Sequence, residues 1–216
     1  MNAIILAHGG AQEAVNRHLP NWNAAFDGLT FISPSDDPLP GSLPIGLSQR
    51  DGTGAIERLL FAMALASRFP VCCIMEYDAL VFGFPGLSHS IPPMRFGDRF
   101  VGDSQDLFCS EVFPNEDPPD VFAAPTYGHC PWIATGETWW KLLTAGADFQ
   151  RGFPDRWLAL ASIRANVALR GMEGSYSRDR GFDALAARMA RLRGAPCIHG
   201  VKTAEQFETI MGEDGV

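Results

Sequence analysis

The sequence predicts an α/β protein with a mostly parallel sheet flanked by helices. Three apolar runs, at residues 3–7, 29–33 and 71–75, have the length and composition of buried strands, and helical patterns separate them. The run at 71–75 is apolar at every position, which is typical of a strand covered by helices on both faces. Because strands and helices alternate, we expect parallel strands joined by right-handed crossovers.

The first third of the chain supplies these elements in order. The strand at 3–7 stops at the turn sequence His8-Gly9-Gly10, and a helix is predicted over 12–19, where Pro20 should end it. The second strand runs into a loop rich in Pro and Asp. A second helix is predicted over 54–68, because apolar residues recur there at helical spacing.

The rest of the chain predicts shorter elements. Residues 83–119 are rich in Pro, Gly and Asp, which favours long loops. Strands are expected at 99–102, 121–124, 132–134 and 197–198, and helices at 137–145, 156–169 and 182–192. A last helix should begin at Thr203, because Thr203 and Gln206 have the spacing of a capping box.

Composition narrows the class of protein. A chain of 216 residues with 46% hydrophobic residues fits one packed domain, or one domain with a modest appendage. The net charge of -8 argues against a broad basic surface for nucleic acid, so a binder of an anionic nucleotide would need local positive groups or a metal ion. We expect no transmembrane segment, since no apolar run reaches about 18 residues, and no signal peptide, since the start lacks a basic region.

The cysteines indicate a reducing compartment. Their number, 5, is odd, and no Cys-x-x-Cys spacing occurs. Reduced and mostly buried thiols in a cytoplasmic protein are therefore expected, and the spacing indicates neither a zinc site nor a disulfide framework.

An acidic pair ends the third predicted strand. Alternation along a strand would put Glu76 and Asp78 on the same side of the chain, with Tyr77 opposite. Ligands of open parallel sheets bind beyond the carboxyl ends of strands, and Mg²⁺ or Mn²⁺ prefers oxygen ligands such as paired carboxylates. A metal and diphosphate site is one interpretation. A strand-to-loop junction with solvated acids is the other.

The order of these features resembles a known family. Arg50-Asp51-Gly52-Thr53-Gly54, a helix, and then Val71-Cys72-Cys73-Ile74-Met75-Glu76-Tyr77-Asp78 are similar to the N-terminal half of GT-A glycosyltransferases. Glu76-Tyr77-Asp78 looks like that family's Asp-x-Asp motif, with Glu in the first position. The resemblance implies a Rossmann-like fold, a bound Mn²⁺ or Mg²⁺ and a nucleotide-diphospho sugar as donor. It divides a single domain, 1–216, into a nucleotide-binding half (1–82) and an acceptor-side half (83–216).

A late histidine and lysine extend the resemblance. His199 and Lys202 are similar in order to a His that completes the metal site of several GT-A enzymes and a Lys that contacts the diphosphate. An imidazole suits Mn²⁺, and an ammonium stabilises the charge that develops on a departing diphosphate. The alternative for His199 is a hydrogen-bonded loop histidine.

Three further residues are candidates for nucleotide binding. His8 is expected near the cleft, although the two glycines after it could simply form a turn. Asp36 follows the second strand, where the family often contacts the nucleoside, but an Asp-rich turn flanked by Pro explains it as well. Arg50 could contact the diphosphate or the sugar, or be a solvated loop residue.

The acceptor side offers two more candidates. Asp155 precedes a predicted helix and is either a helix cap or the catalytic base of an inverting transfer, which takes a proton from the acceptor hydroxyl. Trp132, Trp139 and Trp140 could form a platform for a sugar, although Trp139 and Trp140 are expected in the core.

The sequence is compatible with three functions. The first is a metal-dependent glycosyltransferase that moves a sugar from a nucleotide-diphospho sugar to an unknown acceptor. The second is a catalytically inactive GT-A-like domain that binds a nucleotide or a partner. The third is a nucleotidyltransferase, but such enzymes usually carry a basic residue just after the first strand, and here none occurs before Arg17.

Overall fold

The structure is a computed structural model that describes residues 1–48, 53–82, 95–96, 99–100, 105–114, 124–148, 153–178 and 181–212. The strands in chain order are β1 (Asn2–Leu6), β2 (Gly28–Ser33), β3 (Leu43–Pro44), β4 (Val71–Glu76), β5 (Ala79–Val81), β6 (Arg95–Phe96), β7 (Arg99–Phe100), β8 (Leu107–Cys109), β9 (Val112–Pro114), β10 (Thr126–Gly128), β11 (Trp132–Thr135), β12 (Leu169–Gly171), β13 (Tyr176–Ser177) and β14 (Cys197–His199). The α-helices are α1 (Gln12–Ala25), α2 (Thr53–Ala66), α3 (Gly136–Gly146), α4 (Pro154–Ala165), α5 (Ala184–Leu192) and α6 (Ala204–Met211), and a 3₁₀ turn (Gly9–Ala11) precedes α1.

A seven-stranded sheet forms the centre of the molecule, in the order β12-β8-β11-β4-β1-β2-β3. Of its described strands, β11 alone is antiparallel to its neighbours, so the predicted mostly parallel α/β sheet is confirmed. Leu6 of β1 is in register with Glu76 of β4. The carboxyl ends of these two central strands therefore meet at one edge, where the acidic pair lies.

The core explains why residues 71–75 of β4 are all apolar. Cys72, Cys73, Ile74 and Met75 are fully buried, as expected for a strand covered on both faces. Helix α2 contacts β4, β1 and β2, and α3 packs against both α2 and α4. Among the described residues, no helix is both long enough and apolar enough to cross a membrane.

Helix α1 corrects the prediction that Pro20 ends it, because the helix continues to Ala25 with Pro20 inside. An interior proline costs about 3 kcal/mol relative to alanine. Trp22, fully buried just beyond it, donates a hydrogen bond of 2.8 Å from Nε1 to the carbonyl of Ala79. The tertiary packing of Trp22 therefore outweighs the tendency of Pro20 to end the helix.

Other boundaries differ in smaller ways. The helix predicted to reach residue 169 ends at Ala165, because Asn166 adopts a left-handed conformation with φ of 53° and Leu169 starts β12. Strand β7 pairs with β6 at part of the predicted 99–102 strand, whereas 101–102 and 121–123 lie outside the described residues. The capping box is confirmed, since Thr203 and Gln206 bond each other reciprocally.

A smaller sheet, β13-β14-β5, carries the C-terminal segment. It has its own apolar cluster with α5 and α6, formed by Leu80, Ala187, Ile198, Val201 and Ile210. In this sheet Ala79 is in register with His199. The amides of Gly200 and Val201 donate to the carbonyl of Asp78 at 3.1 and 2.9 Å. The main chain therefore fixes β14 directly beside the end of β4.

Candidate functional site

The acidic turn after β4 is held by its main chain. The amide of Tyr77 donates to the carbonyl of Leu6 at 3.1 Å, and the carbonyl of Tyr77 lies 2.9 Å from Nδ1 of His18. With the carbonyl of Asp78 bound to the chain after β14, the turn is fixed on several sides. It presents Asp78, only 3% exposed, and the half-buried Glu76 to the same cavity.

His199 lies beside this acidic pair. Its Nε2 lies 3.3 Å from Oδ1 of Asp78 and 3.6 Å from Oε2 of Glu76. The Nζ of Lys202 lies 3.8 Å from Oδ2 of Asp78. The structure thus brings together four candidates predicted from the sequence, two from each of two distant parts of the chain.

Charge governs the ionisation of this cluster. Burial raises the pKa of Asp78, but contact with His199 and the charge of Lys202 outweigh burial and hold that pKa below its ordinary value. Burial lowers the pKa of His199, but Cys130 and the two carboxylates outweigh it and raise that pKa well above its ordinary value. In the absence of a metal ion, Asp78 and His199 therefore form an ion pair.

Cys130 is the member of the cluster that sequence reasoning missed. Ligand atoms of Glu76, Asp78, Cys130 and His199 all lie within 4.8 Å of one another. The amide of Glu76 lies 3.5 Å from Sγ of Cys130, and burial raises the pKa of this thiol to about 11. Cys130 precedes β11, which pairs with β4. Residue spacing alone does not reveal this pairing.

Ser177 links two histidines behind the cluster. Its Oγ lies 3.1 Å from Nδ1 of His199 and 2.8 Å from Nδ1 of His129. The hydroxyl can donate to one ring and accept from the other. If Nδ1 of His199 donates to the hydroxyl, the hydroxyl donates to His129, and Nε2 of His199 faces the carboxylates. Ser177 would then orient the ring of His199.

Asp155 lines the same cavity as Asp78. The prediction that it caps helix α4 is wrong, because the N-cap is Phe153 and Asp155 lies in the first turn. Its Oδ1 accepts from the amide of Arg156 at 2.8 Å, and its Oδ2 is 3.9 Å from Nε2 of His129. Burial raises the pKa of Asp155 above its ordinary value. The carboxylate therefore faces the site, and its role as a base stays a prediction.

Two cavities meet at the acidic turn. The larger, of about 610 Å³, includes Asp155, His129, Cys130 and His199 in its lining. The smaller, of about 180 Å³, lies at the ends of β1 and β4 and includes His8, Arg58 and Tyr77. The residues that line both cavities are Glu76, Asp78, Pro154 and Lys202. The charged cluster therefore sits at their junction.

Comparison with known proteins identifies the fold. No family model and no curated protein matches the chain. Among solved structures, the chain is similar to a glycosyltransferase involved in glycosylation of the major capsid of PBCV-1, with a TM-score of 0.51, 12% identity, and coverage of 97% of this chain and 98% of that one. It is also similar to the bifunctional glycosyltransferase WbbM in its apo form, with a TM-score of 0.50 and 11% identity. The protein has a GT-A-like fold.

The extent of the WbbM match differs between the two chains. It covers 99% of this chain but 50% of the WbbM chain, so this protein spans about half the length of WbbM. A further similar structure is 2-C-methyl-D-erythritol 4-phosphate cytidylyltransferase from Thermus thermophilus, with a TM-score of 0.47, 15% identity, and coverage of 88% of this chain and 100% of that one. At 12% and 11% identity, the likenesses to the two glycosyltransferases establish the fold alone.

The other candidates for nucleotide binding differ in whether they line the small cavity. His8 lines the small cavity, with its ring edge-on to Tyr77 at 5.1 Å and its Nδ1 3.3 Å from Oδ2 of Asp37. Asp36 instead accepts two hydrogen bonds from Ser48, which lower its pKa. Arg50 lies outside the described residues. Arg58 on α2, which sequence reasoning did not single out, lines the small cavity.

The tryptophans do not form one platform. Trp139 is fully buried and donates from Nε1 to the carbonyl of Cys72 at 3.0 Å, which confirms its core position. Trp140 is 58% exposed, so the expectation that it lies in the core is wrong. On helix α3 adjacent residues point to different faces, which separates the two rings. Trp132 lines the larger cavity.

Proposed function

We propose that the protein is a metal-dependent glycosyltransferase that moves a sugar from a nucleotide-diphospho sugar to an acceptor. The observation that supports this most is the position of Glu76, Asp78 and Lys202 on the walls of both cavities. A donor with its nucleoside in the small cavity and its sugar in the large one would place its diphosphate at this junction. Candidate ligands for a divalent ion and the ammonium group of Lys202 lie at this junction.

The buried atoms of the cluster fit a divalent cation. Oδ1 of Asp78 and Nε2 of His199 are buried and make no hydrogen bond within the described part of the chain, although they lie 3.3 Å apart. Such atoms are costly unless paired, and a shared cation would satisfy both. Asp78, His199 and Glu76 would hold manganese or magnesium (Mn²⁺ or Mg²⁺), which would neutralise charge on the diphosphate leaving group.

Positive side chains supply the rest of the donor site. Lys202 has a side chain that is 65% exposed and can extend from Asp78 towards a diphosphate. Its ammonium would stabilise the charge left on the phosphate when the glycosidic bond breaks. His8 would border the nucleoside. Arg50 and Asp36 remain proposed contacts of the donor. Asp36 would have to give up its hydrogen bonds with Ser48 to make this contact.

Asp155 would act on the acceptor. Its carboxylate faces the large cavity, and burial raises its pKa towards the range in which a carboxylate is an effective base. It would take the proton of an acceptor hydroxyl as that oxygen attacks the sugar. The proposal retains one domain, with residues 1–82 on the nucleotide side and 83–216 on the acceptor side. Five unpaired, buried cysteines favour a cytoplasmic location.

Calorimetric titration of UDP and GDP, each with and without Mn²⁺, tests the proposal. Wild-type protein should bind one of them in a Mn²⁺-dependent manner, and Asp78→Asn should weaken binding at least tenfold, or about 1.4 kcal/mol. Asp148→Asn is the matched control, because that carboxylate pairs with the exposed Arg164 away from both cavities. Absence of binding by every nucleotide, or equal binding by both variants, would end this proposal.

The second candidate is a GT-A-like domain that binds a nucleotide without transferring sugar. The observation that favours it is the ion pair of Asp78 with His199, which satisfies the charge of the site without a metal ion. Nucleotide binding that does not depend on Mn²⁺, with no release of sugar from any nucleotide sugar, would select this candidate.

A further inference from the structure

One side chain of the cluster does not suit a magnesium site. Cys130 is 1% exposed, and its Sγ lies with Asp78, His199 and Glu76 in a group whose ligand atoms are all within 4.8 Å of one another. Sulfur is a soft ligand that favours Zn²⁺ and similar ions, whereas Mg²⁺ prefers oxygen alone. The donor set therefore differs from the carboxylates expected from the sequence.

An independent observation comes from the buried polar atoms of this group, whose ion pair leaves their hydrogen-bonding capacity unfilled. Asp78 is 3% exposed, and its Oδ1 has no hydrogen-bond partner among the described residues, although it lies 3.3 Å from Nε2 of His199. The same is true of Nε2 of His199, while its Nδ1 contacts Ser177. A histidine oriented through its second nitrogen is the usual arrangement of a metal ligand.

Burial separates the four residues into two classes. The side chains of Asp78 and His199 are 5% and 13% exposed, and Cys130 is buried with them. Glu76 is 37% exposed and lies at the mouth of the group. Three fixed protein ligands and one exchangeable position are the pattern of catalytic zinc sites, whereas four fixed ligands make a closed structural site.

We propose that Asp78, Cys130 and His199 bind a thiophilic divalent ion of the Zn²⁺ or Co²⁺ type, with Cys130 as a thiolate and Glu76 as the ligand that a diphosphate replaces. The exchange of Glu76 for a diphosphate rests on the proposed function. The ligand set of Asp78, Cys130 and His199 does not. The thiol proton leaves to solvent when the metal binds. Cys130 is then the residue that excludes Mg²⁺ as the preferred ion.

Titration of metal-free protein with Co²⁺, followed by absorption spectroscopy, tests the ligand set. A thiolate-to-Co²⁺ charge-transfer band should appear in the near ultraviolet, Zn²⁺ should remove it by displacement, and excess Mg²⁺ should not. Cys130→Ser should abolish the band. It should also lower the affinity for Zn²⁺. The loss should be at least as large as the roughly 10- to 100-fold loss that follows removal of an outer-shell partner. Cys197→Ser is the matched control, since Cys197 is equally buried but its Sγ contacts Ser175.

The spectra of the wild type and of Cys197→Ser decide the question even if Cys130→Ser does not fold. Co²⁺ binding without a thiolate band, or loss of the band in Cys197→Ser, overturns the inference. Mn²⁺-dependent binding of UDP without a thiolate band overturns it while leaving the proposed glycosyltransferase intact. A thiolate band in a protein that binds no nucleotide supports the inference and removes the proposed function.

Discussion

Nε2 of His199 lies 3.3 Å from Oδ1 of Asp78, and the two residues meet because β14 pairs with β5. The contact does not depend on flexible side chains reaching across a cleft. Two amides after His199 donate to the carbonyl of Asp78, so the backbone sets the distance. A metal or substrate at this site would therefore find its ligands already in position.

Removal of one partner should leave a buried charge. His199→Ala should lower the free energy of unfolding of metal-free protein by about 3 kcal/mol, the low end of the range for a broken buried pair, because Lys202 still faces Asp78. Urea denaturation with Asp78→Asn and the double variant completes a mutant cycle. The double variant should recover part of the loss, whereas strictly additive losses would show that the pair does not interact.

The candidate site could be predicted from sequence only where its signals are local. Glu76 and Asp78 follow an apolar strand, and Lys202 precedes the capping box, so each has a recognisable neighbourhood. Cys130 has none, because it reaches the cluster only through the pairing of β11 with β4. Long-range strand pairing depends on the global fold rather than on residue spacing, which is also why the small strands β5, β8 and β12 were not predicted.

Ser177 should control metal affinity without touching the metal. If its hydroxyl holds Nδ1 of His199, Ser177→Ala should weaken Zn²⁺ or Mn²⁺ binding about 10- to 100-fold by releasing the ring. Calorimetric metal titration measures this. Ser175→Ala is the control, since its hydroxyl contacts Cys197 rather than a histidine. Equal metal affinity in both variants would mean that Ser177 has no orienting role.

His18 should make stability fall in mild acid. Its ring is fully buried between Trp22 and Phe207, and burial lowers its pKa below the ordinary value of 6.5 despite the hydrogen bond to the carbonyl of Tyr77. The unfolded chain then binds a proton at higher pH than the folded chain. Stability contributed by neutral His18 is therefore present above about pH 6.5 and is lost as pH falls towards the folded-state pKa.

The comparison of wild type with His18→Gln isolates this effect, because other titrating groups are common to both proteins. At pH 7 the wild type should be the more stable in urea denaturation, and its advantage should shrink steadily down to pH 5. An advantage that stays constant over this range would show that His18 does not titrate between the two states.

Pro20 should be a correctable defect in helix α1. It lies inside the helix without an amide to donate, which costs about 3 kcal/mol relative to alanine, while its restriction of the unfolded chain offsets up to about 1 kcal/mol. Pro20→Ala should therefore raise the free energy of unfolding by about 2 kcal/mol, measured by urea denaturation. Pro154→Ala is the matched control, because Pro154 occupies the first turn of α4, where the missing amide has no partner within the helix to lose. An equal gain at Pro154 would show that the effect does not depend on the position of proline in the helix. No gain at either position would show that α1 already compensates for its proline through the packing of Trp22.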